Sequence, residues 1–263
     1  MINKILYKIS AERADLSNSF ISPFYYQQLK AYKFCLKFCK NKKVLEIGSG
    51  GGHGSFLISK VAQKVVAIDK ENLAISSGEE KFKRKNLKFI SSSIEEFETS
   101  GNFDCIVSLQ VIEHISQQSV GSFFKKIKKI ISAGGFLILS TPYSKNSSYN
   151  ENPYHFKEYT FTELKKMLSE FFPDIKIYSL IGDSKVKLFE TERKQKVTSL
   201  LNKDYLKIRN ILPRRVKQIM FDLLSYKKRF ALDKEYSKIT TKNYKIVEEE
   251  NMEAIDIIAV CRI

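Results

Sequence analysis

Lys43-Val-Leu-Glu-Ile-Gly-Ser-Gly-Gly-Gly52, followed by Lys64-Val-Val-Ala-Ile-Asp69, decides the fold of this chain. Each is a short apolar run, too brief for a helix; the first ends in glycines and the second in an acid. Residues 53–62 between them read as a helix. Strand, glycine turn, helix and strand make one βαβ unit, and the same rhythm continues outward. Residues 24–40 carry Leu29, Tyr32, Phe34 and Leu36 near helical spacing. Residues 71–85 read as a polar helix, and Leu87–Ser91 and Phe103–Leu109 as strands. Residues 118–132 form a basic amphipathic helix (Phe123, Phe124, Ile127, Ile130, Ile131), expected to stop at Gly134-Gly135 before a strand over Phe136–Ser140. Thr160-Phe-Thr-Glu163 is a capping-box pattern that opens a helix to about Phe172, ahead of Pro173. Residues 175–181 and Ala254–Arg262 read as further strands. The pattern predicts an α/β Rossmann-like three-layer sandwich.

Composition bounds the rest. Of 263 residues, 43% are apolar and 12% aromatic, which excludes a wholly disordered chain. Lys+Arg total 45 against 29 Asp+Glu, a net charge of +16, and the surplus is uneven. Between Arg193 and Lys245 stand 16 basic and 4 acidic residues, a local net of +12. Cys35, Cys39, Cys105 and Cys261 form no C-x-x-C pair, so they are expected as reduced, half-buried thiols rather than zinc ligands. Met1–Ser10 lacks an apolar signal region, and no run approaches the ~18 apolar residues of a membrane span. A cytoplasmic protein is expected, membrane-associated at most at its surface. Three segments follow: a core over residues 1–182, a basic helical insertion over 183–252, and a closing strand of the core over 253–263.

The glycine loop asks for a ligand. Glycines let the backbone turn sharply and approach a small molecule without a Cβ between. A dinucleotide fingerprint fails, because the third glycine position falls on His53 counted from Gly48 and on Ser55 counted from Gly50. No G-K-[ST] follows, and the loop has no lysine for phosphate. Its own charge is Glu46, which suits a cofactor with cationic groups. Asp69, 21 residues after Gly48, ends the second strand, where an acid accepts hydrogen bonds from ribose hydroxyls. An adenosyl cofactor carrying an amine and a sulfonium fits this set.

With these residues the chain resembles the class I S-adenosylmethionine (SAM)-dependent methyltransferases. V-L-E-I-G-S-G-G-G is similar to their first motif, and A-I-D at 67–69 to their ribose acid. F-D-C-I-V-S-L-Q-V-I-E-H at 103–114 and G-G-F-L-I-L-S-T-P at 134–142 resemble two later motifs in order. The resemblance covers about residues 30–180. It implies a seven-stranded, mostly parallel sheet whose last strand is antiparallel. It implies cofactor contacts at Glu46, Gly48, Ser49, Gly50 and Gly52, with the methionine part along 48–50. Asp69 would take the ribose and Ser93 and Ile94 the adenine. A backbone carbonyl of Leu109 or Gln110 would meet the methionine amine. One departure stands out: Ser91-Ser-Ser93 lies where an Asp is common.

Methyl transfer from a sulfonium is an in-line displacement that needs alignment above all. A hydroxyl nucleophile gains from a base, and histidine is the usual one near neutral pH. His114, after the fourth strand, and His155, in Asn152-Pro-Tyr-His155-Phe-Lys-Glu158-Tyr159, are the catalytic candidates; each also has a purely structural reading. His53 opens the helix after the loop. Relatives that hold a divalent ion show Glu-x-x-Glu-His here; Gln110 replaces the first acid, and no metal is expected.

The basic insertion leaves three readings open. After Pro213, a residue suited to a helix start, Val216, Ile219, Met220, Leu223, Leu224 and Phe230 recur at three-four spacing among basic residues. A lid would pack this apolar face inward. A membrane-surface helix over 213–230 would lay it on lipid. A nucleic-acid face is disfavoured by the lack of an added RNA-binding motif. The N-P-Y-H-F-K-E-Y-T segment, the L-P-R-R helix and the I-A-V-C-R strand also resemble bacterial methyltransferases of cell-surface polysaccharide biosynthesis. That resemblance implies O-methylation of a glycan or small-molecule hydroxyl; RNA methylation, quinone-type O-methylation and non-catalytic adenosyl binding remain alternatives.

Overall fold

The computed structural model describes residues 22–145, 152–201 and 213–263. The readings of Met1–Ser10 and of Leu212 lie outside these residues. The described chain runs α1 (Pro23–Cys39), β1 (Lys43–Ile47), α2 (His53–Ser59), β2 (Lys64–Asp69), α3 (Asn72–Lys81), β3 (Leu87–Ser91) and β4 (Phe103–Leu109). After a short turn of helix at Ile112–His114 come α4 (Val120–Ile130), β5 (Ile131–Pro142), α5 (Phe161–Ser169) and β6 (Asp174–Gly182). Then follow α6 (Ser184–Leu201), α7 (Arg214–Glu235), β7 (Tyr244–Val247) and β8 (Ala254–Arg262).

Among the described residues the strands make one sheet in the order β3-β2-β1-β4-β5-β8-β6-β7. β1 pairs parallel with β2 and β4, and β5 parallel with β4, whereas β8 runs antiparallel between β5 and β6. The sheet therefore has eight strands rather than seven. The addition is Tyr-Lys-Ile-Val over 244–247, a β-favouring run that lies inside the segment expected to be helical.

Alternation along the central strands explains the layers. Leu45, Ile47, Ile106, Leu137 and Leu139 meet Phe123, Phe124 and Ile127 of α4 and Leu164 and Leu168 of α5 in one apolar cluster. The opposite face carries Val44, Val65, Ala67, Cys105 and Val107, all buried. There the Cys39 thiol of α1 lies 3.8 Å from Cys105, and Ile75 of α3 packs with Ala67 and Phe89. The four cysteines are fully buried rather than half-buried, and burial pushes the Cys35 thiol up.

Two local expectations change in detail. Gly134-Gly135 does not end a helix; α4 already stops at Ile130, and Gly134, at φ +71°, sits in an irregularity of β5. There Ile131 pairs with Phe103 and Phe136 with Cys105, so five residues of one strand face two of the other. Pro213 stands at the N-cap of α7 rather than in its first turn. The capping box is present as read: Thr160 accepts from the Glu163 amide, and Glu163 accepts from the Thr160 amide.

By contact density the chain divides into two compact units. Among the described residues one holds 29–145, 156–181 and 246–263, with most of the sheet. The other holds 22–28, 152–155, 182–201 and 213–245. In the second unit α6 and α7 meet through Phe189 and Tyr236, whose rings lie 5.4 Å apart. The Tyr236 hydroxyl donates to Glu192 at 2.8 Å, which pushes the phenol up to about 12.

Candidate cofactor and active site

In the order β3-β2-β1-β4-β5, the chain reverses direction of travel across the sheet between β1 and β4. In doubly wound sheets that reversal opens a crevice at the strand ends. The glycine loop leaves β1 at this place. The amides of Gly48 and Ser49 both donate to the Ile68 carbonyl, at 2.9 and 3.0 Å, which locks the loop onto β2. Gly48, Gly50 and Gly52 all have positive φ, +73°, +52° and +83°. They serve different ends. A Cβ on Gly48 would lie 2.5 Å from Val111, and one on Gly52 would lie 2.6 Å from the Phe89 ring. A Cβ on Gly78 of α3 would lie 2.8 Å from the same ring. A Cβ on Gly50 would meet nothing within 4 Å, so of these three loop glycines Gly50 alone combines a left-handed backbone with open space.

Asp69 closes the loop from the side. Its carboxylate accepts the Gly50 amide at 2.8 Å on one oxygen and the Glu71 amide at 2.9 Å on the other. Each oxygen keeps a second acceptor site. Behind the loop, Glu46 is buried at 1% exposure, and its oxygens accept from the Tyr32 hydroxyl at 2.6 Å and from the Ser55 hydroxyl. Burial pushes Glu46 up to about 7, against the pull of these two donors. Tyr32 also lies edge-on to His53, 5.4 Å between centroids, and covers Gly54, where a Cβ would strike its ring. Burial pushes His53 down to about 4.

A test of fit for an adenosyl group is available in the donors and acceptors left over. The buried hydroxyls of Ser49, Ser108 and Thr141 have no hydrogen-bond partner among the described residues. They stand at the C-terminal ends of β1, β4 and β5, three neighbouring strands. Buried polar groups are ordinarily satisfied, so three such hydroxyls around one crevice suit a polar ligand. Together with the open side of Gly50 and the spare acceptor sites of Asp69, the residues fit the group.

The remaining sequence-identified positions fall as follows. The amide of Ser92 donates to the Asp69 carbonyl at 3.0 Å, which holds the Ser92-Ser93 corner against the end of β2. The Ser93 hydroxyl accepts from the Glu96 amide at 3.3 Å, and Ile94 beside it is buried. Leu109 ends β4. Gln110 has φ +56°, a conformation that costs on the order of 1 kcal/mol or more outside glycine. Its amide donates to the Ser140 carbonyl at 2.9 Å and its side chain to the Ser140 hydroxyl at 3.2 Å. His114 closes the short helical turn, with its amide donating to Val111 at 2.9 Å. Glu113 is fully buried, and its carbonyl accepts the amides of Phe156 and Lys157.

His155 belongs to the helical unit. Asn152 Oδ1 accepts the Tyr154 amide at 3.0 Å, so the amide nitrogen is the end turned to His155 Nε2, also at 3.0 Å. Nε2 then accepts, which puts the proton of the neutral ring on Nδ1. Sequence reasoning missed Val111, Ser108, Thr141 and the Tyr32–Glu46–Ser55 cluster. Thr141 and Ser108 lie inside quoted motifs, so an inventory of hydroxyls at strand ends would have found them. No sequence signal joins Tyr32 to Glu46, because helix and strand meet only in the fold.

Comparison with known proteins adds the following. A family model described as a methyltransferase domain matches residues 39–204. A probable S-adenosylmethionine-dependent methyltransferase of Mycobacterium tuberculosis is 30% identical over 135 residues, 49% of this chain and 48% of that protein. A ubiquinone biosynthesis O-methyltransferase of Pelagibacter ubique is 28% identical over 112 residues, 42% of this chain and 46% of that protein. The chain thus spans about half the length of the curated relatives it matches. Among solved structures, the N-methyltransferase NodS of Bradyrhizobium japonicum superimposes with a TM-score of 0.53 at 12% identity, over 91% of this chain and 96% of that one, a likeness of fold.

Proposed function

This chain belongs to the methyltransferase-domain family, and on that footing we propose that it transfers a methyl group from S-adenosylmethionine to a hydroxyl of a glycan or small-molecule acceptor. The observation that carries the reading is the pairing of Gly50 with Asp69 beside open space, with three buried, unpartnered hydroxyls at the C-terminal ends of β1, β4 and β5. The names of the relatives support the cofactor.

When bound, S-adenosylmethionine supplies a methyl group on a cationic sulfur. The chain's own work is to hold and align. Asp69, with each oxygen already fixed by one amide, accepts the two ribose hydroxyls at its spare sites without having to reorient. Ser49 and Gly48 line the methionine end, and Ile94 gives the adenine an apolar wall, with Ser93 beside it. Glu46 acts on the loop through Tyr32 and Ser55, and Gly52 lets the loop pass under Phe89. His155 is the candidate general base; its accepting nitrogen is held by Asn152, and it takes a substrate proton there only once that hydrogen bond gives way. His114 stays as the second candidate for that role.

Quinone-type O-methylation is the second reading, favoured by the ubiquinone biosynthesis relatives. Titration calorimetry of the full chain with S-adenosylmethionine should show binding that Asp69→Ala weakens roughly 10–100-fold, as for a lost charged acceptor. Labelled methyl transfer to nucleotide sugars, quinol precursors and RNA then ranks the acceptors. His155→Ala should cut turnover roughly a hundredfold and spare cofactor affinity. Absence of binding would end the reading. Salt-steep RNA methylation dependent on residues 193–245 would replace the acceptor class.

A further inference from the structure

Within helix α7 of the helical unit the polar side is buried and the apolar side exposed. Asp222 and Ser225 are buried, at 4% and 1% exposure, and Leu232 is the buried apolar residue near its end. The polar side is held by its own unit: the Tyr154 hydroxyl donates to Asp222, and the Gln218 side chain to the Pro153 carbonyl at 3.4 Å. The apolar side faces out. Val216 and Ile219 are each 39% exposed, Met220 43%, Leu223 58% and Tyr226 36%. At ~100° per residue these five fall on one stripe about 120° wide, with Asp222 about 40° and Ser225 about 100° beyond its Tyr226 edge. Arg215, exposed, and Lys217 flank the stripe on its two sides. By sequence the helix carries seven Arg or Lys and three Asp or Glu.

We infer that α7 binds the surface of an anionic lipid bilayer, lying in its plane with Val216, Ile219, Met220 and Leu223 among the acyl chains. An apolar stripe rimmed by basic residues has the two attractions such a surface offers. Among the described residues no helix is long and apolar enough to cross a membrane, so the contact is parallel to the surface. Charge argues against a second copy as the occupant: two such helices, in segments of local net +12 each, would repel. It also argues against nucleic acid, whose phosphates would meet Ile219 and Leu223 rather than cations. The inference stands on the helix alone and does not depend on methyl transfer.

Co-sedimentation of the full chain with vesicles tests it. Binding is expected to equimolar phosphatidylcholine–phosphatidylglycerol and to be far weaker with phosphatidylcholine alone. The double variant Ile219→Glu/Leu223→Glu should weaken binding to the mixed vesicles roughly tenfold or more, with unchanged thermal unfolding because both residues are exposed. Arg215→Glu should weaken it less and make it less sensitive to salt. Unweakened binding by the double variant would overturn the inference, since charge alone would then suffice. So would equal binding to neutral vesicles, no vesicle binding, or a dimer in light scattering that the double variant dissolves.

Discussion

Helices α4 and α7 have the same kind of sequence and opposite orientations. Both are basic and amphipathic. In α4, Phe123, Phe124, Ile127 and Ile130 are buried against the sheet, and Lys125, Lys128 and Lys129 stay outside. In α7, Asp222 and Ser225 are buried and Ile219, Met220 and Leu223 stay outside. Amphipathic spacing says that a helix has two faces. Which face goes inward is set by what it meets: an apolar sheet in one case, and the polar segment Asn152–His155 in the other.

The largest effect should come from emptying the α4 side. Phe124 is fully buried, with Phe171 and Phe172 rings 5.1 and 5.9 Å away. Phe124→Ala should cost about 3–5 kcal/mol in urea unfolding. Leu223→Ala in α7 should cost under about 0.5 kcal/mol. Equal losses would erase the contrast.

The buried carboxyls sharpen it, since Glu46 and Asp222 each accept from a tyrosine hydroxyl. Glu46 titrates at about 7 in the folded chain against 4.5 as the ordinary value. The folded state keeps this proton longer than the unfolded one. The contribution is therefore full below about pH 4.5 and is lost as pH rises to about 7. Glu46→Gln mimics the protonated form. Its stability relative to the parent should rise by on the order of 1–3 kcal/mol between pH 5 and 8, read from melting curves. A flat difference would mean that the carboxyl ionises freely.

Tyr154→Phe tests the inward polar face of α7. Leaving Asp222 buried without this donor should cost about 1–3 kcal/mol, and a neutral result would turn the helix around. Next comes the cap of α5, where Thr160→Ala should cost about 1 kcal/mol in thermal unfolding.

The contrast also measures what a sequence discloses. Strands Lys64–Asp69, Leu87–Ser91, Phe103–Leu109 and Ala254–Arg262 were legible to the residue, because short β-branched runs bounded by turn residues leave little choice of length. Asp69 and the glycine loop were legible because a βαβ unit returns the end of β2 to the side of the end of β1. Strand Tyr244–Val247 hid inside a basic helical stretch, four residues long and without glycine punctuation. The Tyr32–Glu46–Ser55 cluster needed two helices to pack on β1, and the unpartnered hydroxyls of Ser108 and Thr141 needed β4 and β5 to be set side by side. The orientation of α7 needed knowledge of its neighbour, which periodicity does not carry.

One ring in the sheet unit binds the history of three positions together. Phe89 fills the room left by the missing side chains of both Gly52 and Gly78. Neither glycine can grow while that ring stays, and trimming the ring alone leaves a void. These sites can drift only in concert, so homologous chains that have lost one of the glycines should have a smaller residue where this chain has phenylalanine.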